Sequence, residues 1–456
     1  MQDLTKGSIT SNVLKMTSFM LVSMVFQTLY FLVDLYFVGR LGREAVAGVS
    51  VSGNLSFIVL GATQVLGVGT TALIAHATGR KAREEARLVF NQSQILSLLV
   101  GLVFFVVMMS LRGFYARGLG ADPATAAAAN DYLTWFVPAM GLQFTVVSIT
   151  AALRGTGNFK PGMVIQSGTV LLNIVLAPVL ILGAGTGHAF GVAGAGMASF
   201  FSIIVGIVAL LIYVVRAESY LKFAAADLPL RLPLWGRMLK IGLPAGAEFA
   251  ILGVYMLIVY SITRRFGSAA QAAFGIGLRA VQAGFLPVVA LGFAVSPVAG
   301  QNFGARLAPR VRETFRVGAT LAACAMLVFT LVCEIWAPNM IGFFSKDAEV
   351  IAIGTEYLRI IAVNNLASGV TFVSSSLFQA MGNTMPSLIT SFARIVFLAV
   401  PAILLSRQPG FELRTIWYLS VATVYFQLVL NLLFLRAEFR RRLSFAPTPA
   451  VEVATA

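Results

Sequence analysis

The sequence predicts an all-α membrane protein, with twelve transmembrane helices arranged as two parallel six-helix repeats. Three observations lead there. Mean hydropathy is +0.87, with 58% hydrophobic and only 11% charged residues among 456, whereas a soluble domain carries about 25% charged residues. Apolar runs of about 20 residues, enough to cross a bilayer as helix, recur along the whole chain. Finally, distinctive residues recur at one constant offset of 225 positions.

The predicted spans cover residues 13–38, 53–77, 88–111, 131–153, 162–183, 192–215, 241–262, 274–302, 317–341, 355–380, 386–405 and 414–436. The polar start "MQDLTKGSITSNVLKM" has no short apolar core ending in a small-residue cleavage site, so the first run is expected to stay as a span. The longest polar interval, Arg216 to Lys240, reads as a linker. It divides an N-lobe, residues 1–225, from a C-lobe, residues 226–456.

An even number of spans places both termini on one side, and loop charge chooses that side. With the termini cytoplasmic, inner segments hold 21 Lys and Arg against 9 in the outer loops, with Arg279, Arg359 and Arg394 inside spans. That asymmetry follows the positive-inside rule. It also accounts for the net charge of +15 without nucleic acid, because the basic residues alternate with spans and form no single face. Cys324 and Cys333 lie nine positions apart in one predicted helix, about 13 Å at 1.5 Å per residue, too far for a disulfide.

The repeat is visible in "RGTGNFKP" (154–161) and "QAMGNTMP" (379–386), which pair Gly157 with Gly382, Asn158 with Asn383 and Pro161 with Pro386. The same offset pairs Gly42 with Gly267, Gly79 with Gly304, Asp122 with Asp347 and Tyr132 with Tyr357. Parallel repeats about an axis normal to the membrane are a transporter architecture with the substrate path between lobes. The Gly, Asn and Pro of the repeated loop end one helix and begin the next.

Within the first span, "TLYFLVDLYFVGR" (28–40) carries Asp34 in an otherwise apolar run. A carboxylate at a helix centre costs about 2.5–3.5 kcal/mol on insertion scales, and a short Asp cannot snorkel to the interface. Gln27 and Tyr30, seven and four positions earlier, share its helix face, and a polar stripe on an apolar helix points inward. Asn54, Gln64, Gln143 and Asn173 are candidates to line the same cavity, and Met24 supplies an adaptable apolar wall. Burial makes ionisation of Asp34 costly, so its protonation would respond to the side it faces, as a proton-coupled switch requires. Glu248, four positions after Pro244 in "KIGLPAGAEFA", is expected in the first turns of the seventh span, where an acid complements the helix dipole. It is also a candidate to line the substrate cleft. His76 and His188 lie in no metal-ligand spacing, and no metal or organic cofactor is expected. The Gly-rich "GAGTGHAFGVAGAG" (183–196) follows no strand, so it reads as an outer loop entering a closely packed helix and not as a dinucleotide fingerprint.

Taken together, "LVDLYFVGRLG", "RGTGNFKP", "GLPAG" and "QAMGNTMP" on twelve spans resemble the multidrug and toxic compound extrusion (MATE) transporters, their prokaryotic DinF-like and NorM-like branch above all. The resemblance covers nearly the whole chain and implies a two-lobe fold that exports amphipathic, often cationic compounds in exchange for H⁺ or Na⁺. It implies that Asp34 is the cation-coupling carboxylate, with Gln27, Tyr30 and Asn173 its neighbours. The chain departs from the pattern in four places. "NIVLAP" keeps Asn173 but has Ala177 where the family has a second acid, Phe19 stands at an expected proline, Leu252 stands at an expected glutamate, and "GVTFVSSSLFQ" lacks an acid. A lone carboxylate suits one proton better than Na⁺, which prefers several oxygen ligands, so H⁺ is the expected coupling ion.

The expectation is therefore a secondary active multidrug antiporter of the bacterial inner membrane, not an enzyme, working as a monomer among membrane lipids on small organic substrates. A flippase for lipid-linked glycans or peptidoglycan precursors is the alternative; it would gather Arg279, Arg359 and Arg394 in the cleft to hold pyrophosphate. An intramembrane enzyme would need paired carboxylates or a histidine cluster, which the sequence lacks.

Overall fold

The computed structural model describes residues 2–119, 122–217, 220–406 and 408–445, without the side chains of Phe31, Val51, Asn54, Phe57 and Leu119. Twelve α-helices carry the fold, with two short 3-10 turns and no strand among the described residues. They are α1 (Ile9–Gly39), α2 (Arg43–Gly79), α3 (Arg83–Leu119), α4 (Pro123–Gly155), α5 (Lys160–Leu182), α6 (Gly191–Arg216), α7 (Leu232–Thr263), α8 (Ser268–Gly304), α9 (Ala308–Phe344), α10 (Ala348–Ala380), α11 (Met385–Leu405) and α12 (Leu413–Arg442). All twelve are long and apolar enough to cross a membrane. Eleven of the twelve predicted spans lie inside one of them, the span 162–183 runs one residue past α5 onto its C-cap Gly183, and most helices overrun their span at one or both ends. Hydropathy marks the lipid-facing length only, while the backbone continues to satisfy its own hydrogen bonds into the polar interface.

One overrun changes the chemistry. Pro233 opens α7 at Leu232, so Pro244 is an interior proline and Glu248 lies deep in the helix. The expected placement of Glu248 in the first turns, beside the helix dipole, is corrected. The interval before α7 is also no free linker. Asp227 is buried and pairs with Arg87 at 2.8 Å, and Gln92 Nε2 donates to the carbonyls of Asp227 and Pro229 at 2.6 and 2.8 Å. The segment is folded against α3.

The 225-residue offset is written into the backbone. Gly42 and Gly267, the N-caps of α2 and α8, take φ of +114° and +91°. Lys81 and Arg306 both take φ of +60°, a left-handed value unusual for residues with a Cβ. Asp122 and Asp347 cap α4 and α10 by accepting backbone N–H bonds, and the Thr125 amide and hydroxyl hold the Asp122 carboxyl below the usual carboxylate range. Tyr132 and Tyr357 are both buried. The windows of α2, α4, α8 and α10 bury 61–67% of their residues, against 33% or less for the other helices, so these four form the inner layer. Exposed Leu32, Phe114, Leu257 and Phe343 belong to the outward faces of the others.

The two halves meet closely at the end of the bundle where α1 begins and α12 finishes, called here the termini-bearing end. α2 crosses α7 through glycines: a Cβ on Gly242 would lie 1.8 Å from the Val65 carbonyl oxygen, and one on Gly69 would lie 2.4 Å from that of Met238. Gly79 and Gly304, partners in the repeat, pack on Gln301 O and His76 O respectively. His76 Nε2 lies 2.6 Å from the Ala380 carbonyl, and Gln301 Nε2 donates to the Gly155 carbonyl at 3.0 Å. His76 and Gln301 are repeat partners, as are Gly155 and Ala380, so the two bonds form one reciprocal clasp between the halves. Gln301 Oε1 also accepts from the Leu4 amide at 3.0 Å, which ties the N-terminal segment into the clasp. Gln301→Leu leaves the Leu4 amide and Gly155 carbonyl unpaired, a loss of about 1–3 kcal/mol. Hydrogen exchange at Leu4 is expected to accelerate by about tenfold; an unchanged rate would show the clasp carries no strain-bearing contact.

Candidate functional site

The apolar first span becomes a helix from the N-cap Ser8 onward, and its far end turns Asp34 inward. Asp34 is 6% exposed although it follows exposed Leu32 and precedes exposed Leu35. Its Oδ1 is buried without a hydrogen-bond partner among the described residues. One turn earlier, the Tyr30 hydroxyl lies 2.6 Å from Ser199 Oγ of α6. Asp34, Tyr30 and buried Tyr132 of α4 are within electrostatic reach of one another. A single carboxyl thus sits beside two phenols, on helices from one half of the molecule.

Asn173 of α5, on a helix packed against α1, is 1% exposed with both amide atoms unpartnered. Ser202 on α6 is buried with its hydroxyl equally unpartnered. Such groups are costly unless something completes their bonds. Ala177, one turn after Asn173, is fully buried in an apolar cluster with Tyr132, Phe136 and Val38. No carboxylate oxygen is supplied from that position. Among the described residues, no group of three or more His, Cys, Asp or Glu could hold a metal ion.

The other candidates are less concentrated. Gln27 shares the Tyr30 and Asp34 face but is exposed, and Met24, Gln64 and Gln143 are half-buried. The Asn54 side chain lies outside the described residues. Glu248 is half-buried with Oε1 unpartnered, facing Ser387 of α11, in the half that lacks Asp34. The three arginines within spans are not gathered: Arg279 and Arg359 are exposed, and only Arg394 turns inward. Sequence reading missed Arg154. Counted with an inner loop, it belongs to the end of α4 and lies 5.5 Å over the Phe293 ring of α8, across the two halves. Its helical partner residue is 139 positions away, and no local pattern signals that contact.

A family model described as MatE matches residues 20–179 and 244–404, one stretch in each half. The chain is 29% identical over 404 residues to "Probable multidrug resistance protein YoeA" of Bacillus subtilis (strain 168), covering 87% of each. It is 23% identical to the "FAD transporter" of Shewanella oneidensis, covering 81% of this chain and 82% of that one. A solved structure described as the "outward-facing conformation of a multidrug resistance MATE family transporter of the MOP superfamily" superposes with a TM-score of 0.89. It shares 23% identity and the match covers 97% of this chain and 98% of that one.

Proposed function

We infer, from the fact that this chain belongs to the MatE family, that it is a secondary exporter of amphipathic organic compounds driven by proton exchange. The observation that carries the reading is Asp34: a lone buried carboxyl with an unpartnered oxygen, set beside Tyr30 and Tyr132. A group in that setting binds a proton in one conformation and releases it in another when exposure changes, which is what coupling requires.

The mechanism follows from the two halves. The clasp of His76 and Gln301 and the glycine crossing of α2 and α7 close the termini-bearing end. We assign that end to the cytoplasm on the charge asymmetry, which makes this an outward-open arrangement of a plasma-membrane protein. Residues 1–225 and 226–456 then rock as lobes. Proton uptake at Asp34 from outside favours substrate release and return; proton loss inside favours reloading. Tyr30 and Asn173 position and solvate the carboxyl, while Gln27, Met24, Gln64 and Gln143 line the approach. Asp34 is the one carboxyl set beside these phenols among the described residues, and Ala177 is apolar, so one proton fits better than Na⁺. The printed names of the relatives span drugs and a dinucleotide, which supports a small-molecule substrate without fixing its charge.

The test is transport of ethidium by monomeric protein in proteoliposomes. An imposed pH gradient should drive uptake by about tenfold over the gradient-free rate, and a Na⁺ gradient should change it by less than about twofold. The reverse ranking would replace the proton with Na⁺, and no response to either gradient would remove the antiport reading.

A further inference from the structure

The second half holds a polar wall that the proton mechanism does not use. On α7, Glu248 and Tyr255 lie two turns apart on one face; on α11, Ser387 and Arg394 do the same. Gln427 and Asn431 of α12 complete the wall, and both are buried. The Arg394 guanidinium packs 5.3 Å over the Tyr255 ring and donates one long bond, 3.4 Å, to Gln427 Oε1. A guanidinium has five N–H donors. Arg394 Nε and Asn431 Nδ2 are both buried without partners among the described residues. No ion pair joins Arg394 to Glu248 or to any other carboxylate among the described residues.

The repeat shows that this charge is not imposed by the fold. Tyr255 is the partner of Tyr30, and each reaches a serine on the last helix of its half, Ser420 at 3.5 Å and Ser199 at 2.6 Å. The partner of Arg394 is Thr169, a small side chain packed against Gly206. Where the first half sets a carboxyl beside its tyrosine, the second sets a guanidinium beside the equivalent one. The polarity is inverted. Leaving a guanidinium and an amide buried with open donors is costly, and a planar anion would use both.

We propose that Arg394 and Asn431 form an anion-binding subsite in the second half, which takes the carboxylate or phosphate of an amphipathic organic substrate. The proposal rests on the export reading for the substrate's passage, but binding at the subsite can be read without any gradient. A substrate that carries an anionic group would be held by it at Arg394 while its apolar body lies against the lobes, and a cation such as ethidium would pass without using the subsite.

The test compares two fluorescent dyes, a carboxylated rhodamine and its methyl ester, by equilibrium binding to purified protein in phosphatidylcholine nanodiscs. Arg394→Gln should weaken the carboxylated dye by about tenfold or more and the ester by less than about twofold. Arg394→Lys should restore part of the loss, and Asn431→Leu should weaken the carboxylated dye while sparing the ester. Ester binding reports that each variant is folded. Equal weakening of both dyes, no weakening of either, or absence of carboxylated-dye binding to wild type would overturn the subsite. So would nanodiscs with added phosphatidylglycerol in which dye is displaced from wild type but not from Arg394→Gln, since the occupant would then be a lipid phosphate. Loss of gradient-driven uptake with intact dye discrimination counts against the export reading alone.

Discussion

Asp34→Asn abolishes pH-gradient-driven ethidium export, by about tenfold or more, and leaves ethidium affinity within about twofold of wild type. The substitution keeps the shape of the side chain and removes its ability to take up a proton. Asp34 is 6% exposed, so truncation would confound the result with a cavity, whereas the amide fills the same space. Its neighbour Tyr30 has its own contact with Ser199 Oγ at 2.6 Å, which the substitution leaves in place. The predicted signature is a variant that binds but does not respond to the gradient. Counterflow, in which substrate exchanges for substrate, would survive if the lobes still rock. If export persists at the wild-type rate, Asp34 is a packing residue, and Glu248, half-buried with its own unpartnered oxygen, inherits the question.

What could be read from the sequence and what could not divides along a physical line. The twelve spans were legible because lipid imposes a long apolar run on each helix, and the repeat because Gly42, Gly157, Asp122 and their partners are fixed by backbone needs that recur with the fold. Asp34 was legible because one acid in an apolar run is locally conspicuous. Helix ends were not, since a helix leaving the bilayer becomes polar without ceasing to be a helix. That is why α7 starts at Leu232 and why Glu248 is interior. The tie of the 220–231 segment to α3 rests on Arg87 and Asp227, 140 positions apart, and no window contains both. Arg394 was visible as a cation within a span, but its stacking on Tyr255 and its shortage of partners are properties of three helices together.

The closure of the termini-bearing end should be as sensitive to one methyl group as coupling is to one proton. Gly242→Ala places a Cβ where the Val65 carbonyl oxygen stands at 1.8 Å and its carbon at 2.7 Å. Both are backbone atoms of α2, so no rotamer relieves the overlap, and the helices must separate. Gly246 restricts the remedy further, because its own Cβ position is filled by Val65 and the Gly61 carbonyl. Overpacking of this kind costs about 1–3 kcal/mol, which moves a two-state balance by about fivefold or more. The cost falls only on the arrangement in which α2 and α7 cross here, so the alternative arrangement gains population without new contacts. Spin labels at Glu84→Cys and Glu313→Cys, both exposed positions on either half near that end, would report it after Cys324→Ser and Cys333→Ser remove the native thiols. The distance distribution should gain a longer component in Gly242→Ala that wild type lacks. An unchanged distribution in a folded variant would mean that the α2–α7 crossing is kept in both arrangements, and the clasp of His76 and Gln301 would then be the sole part of the closure that opens.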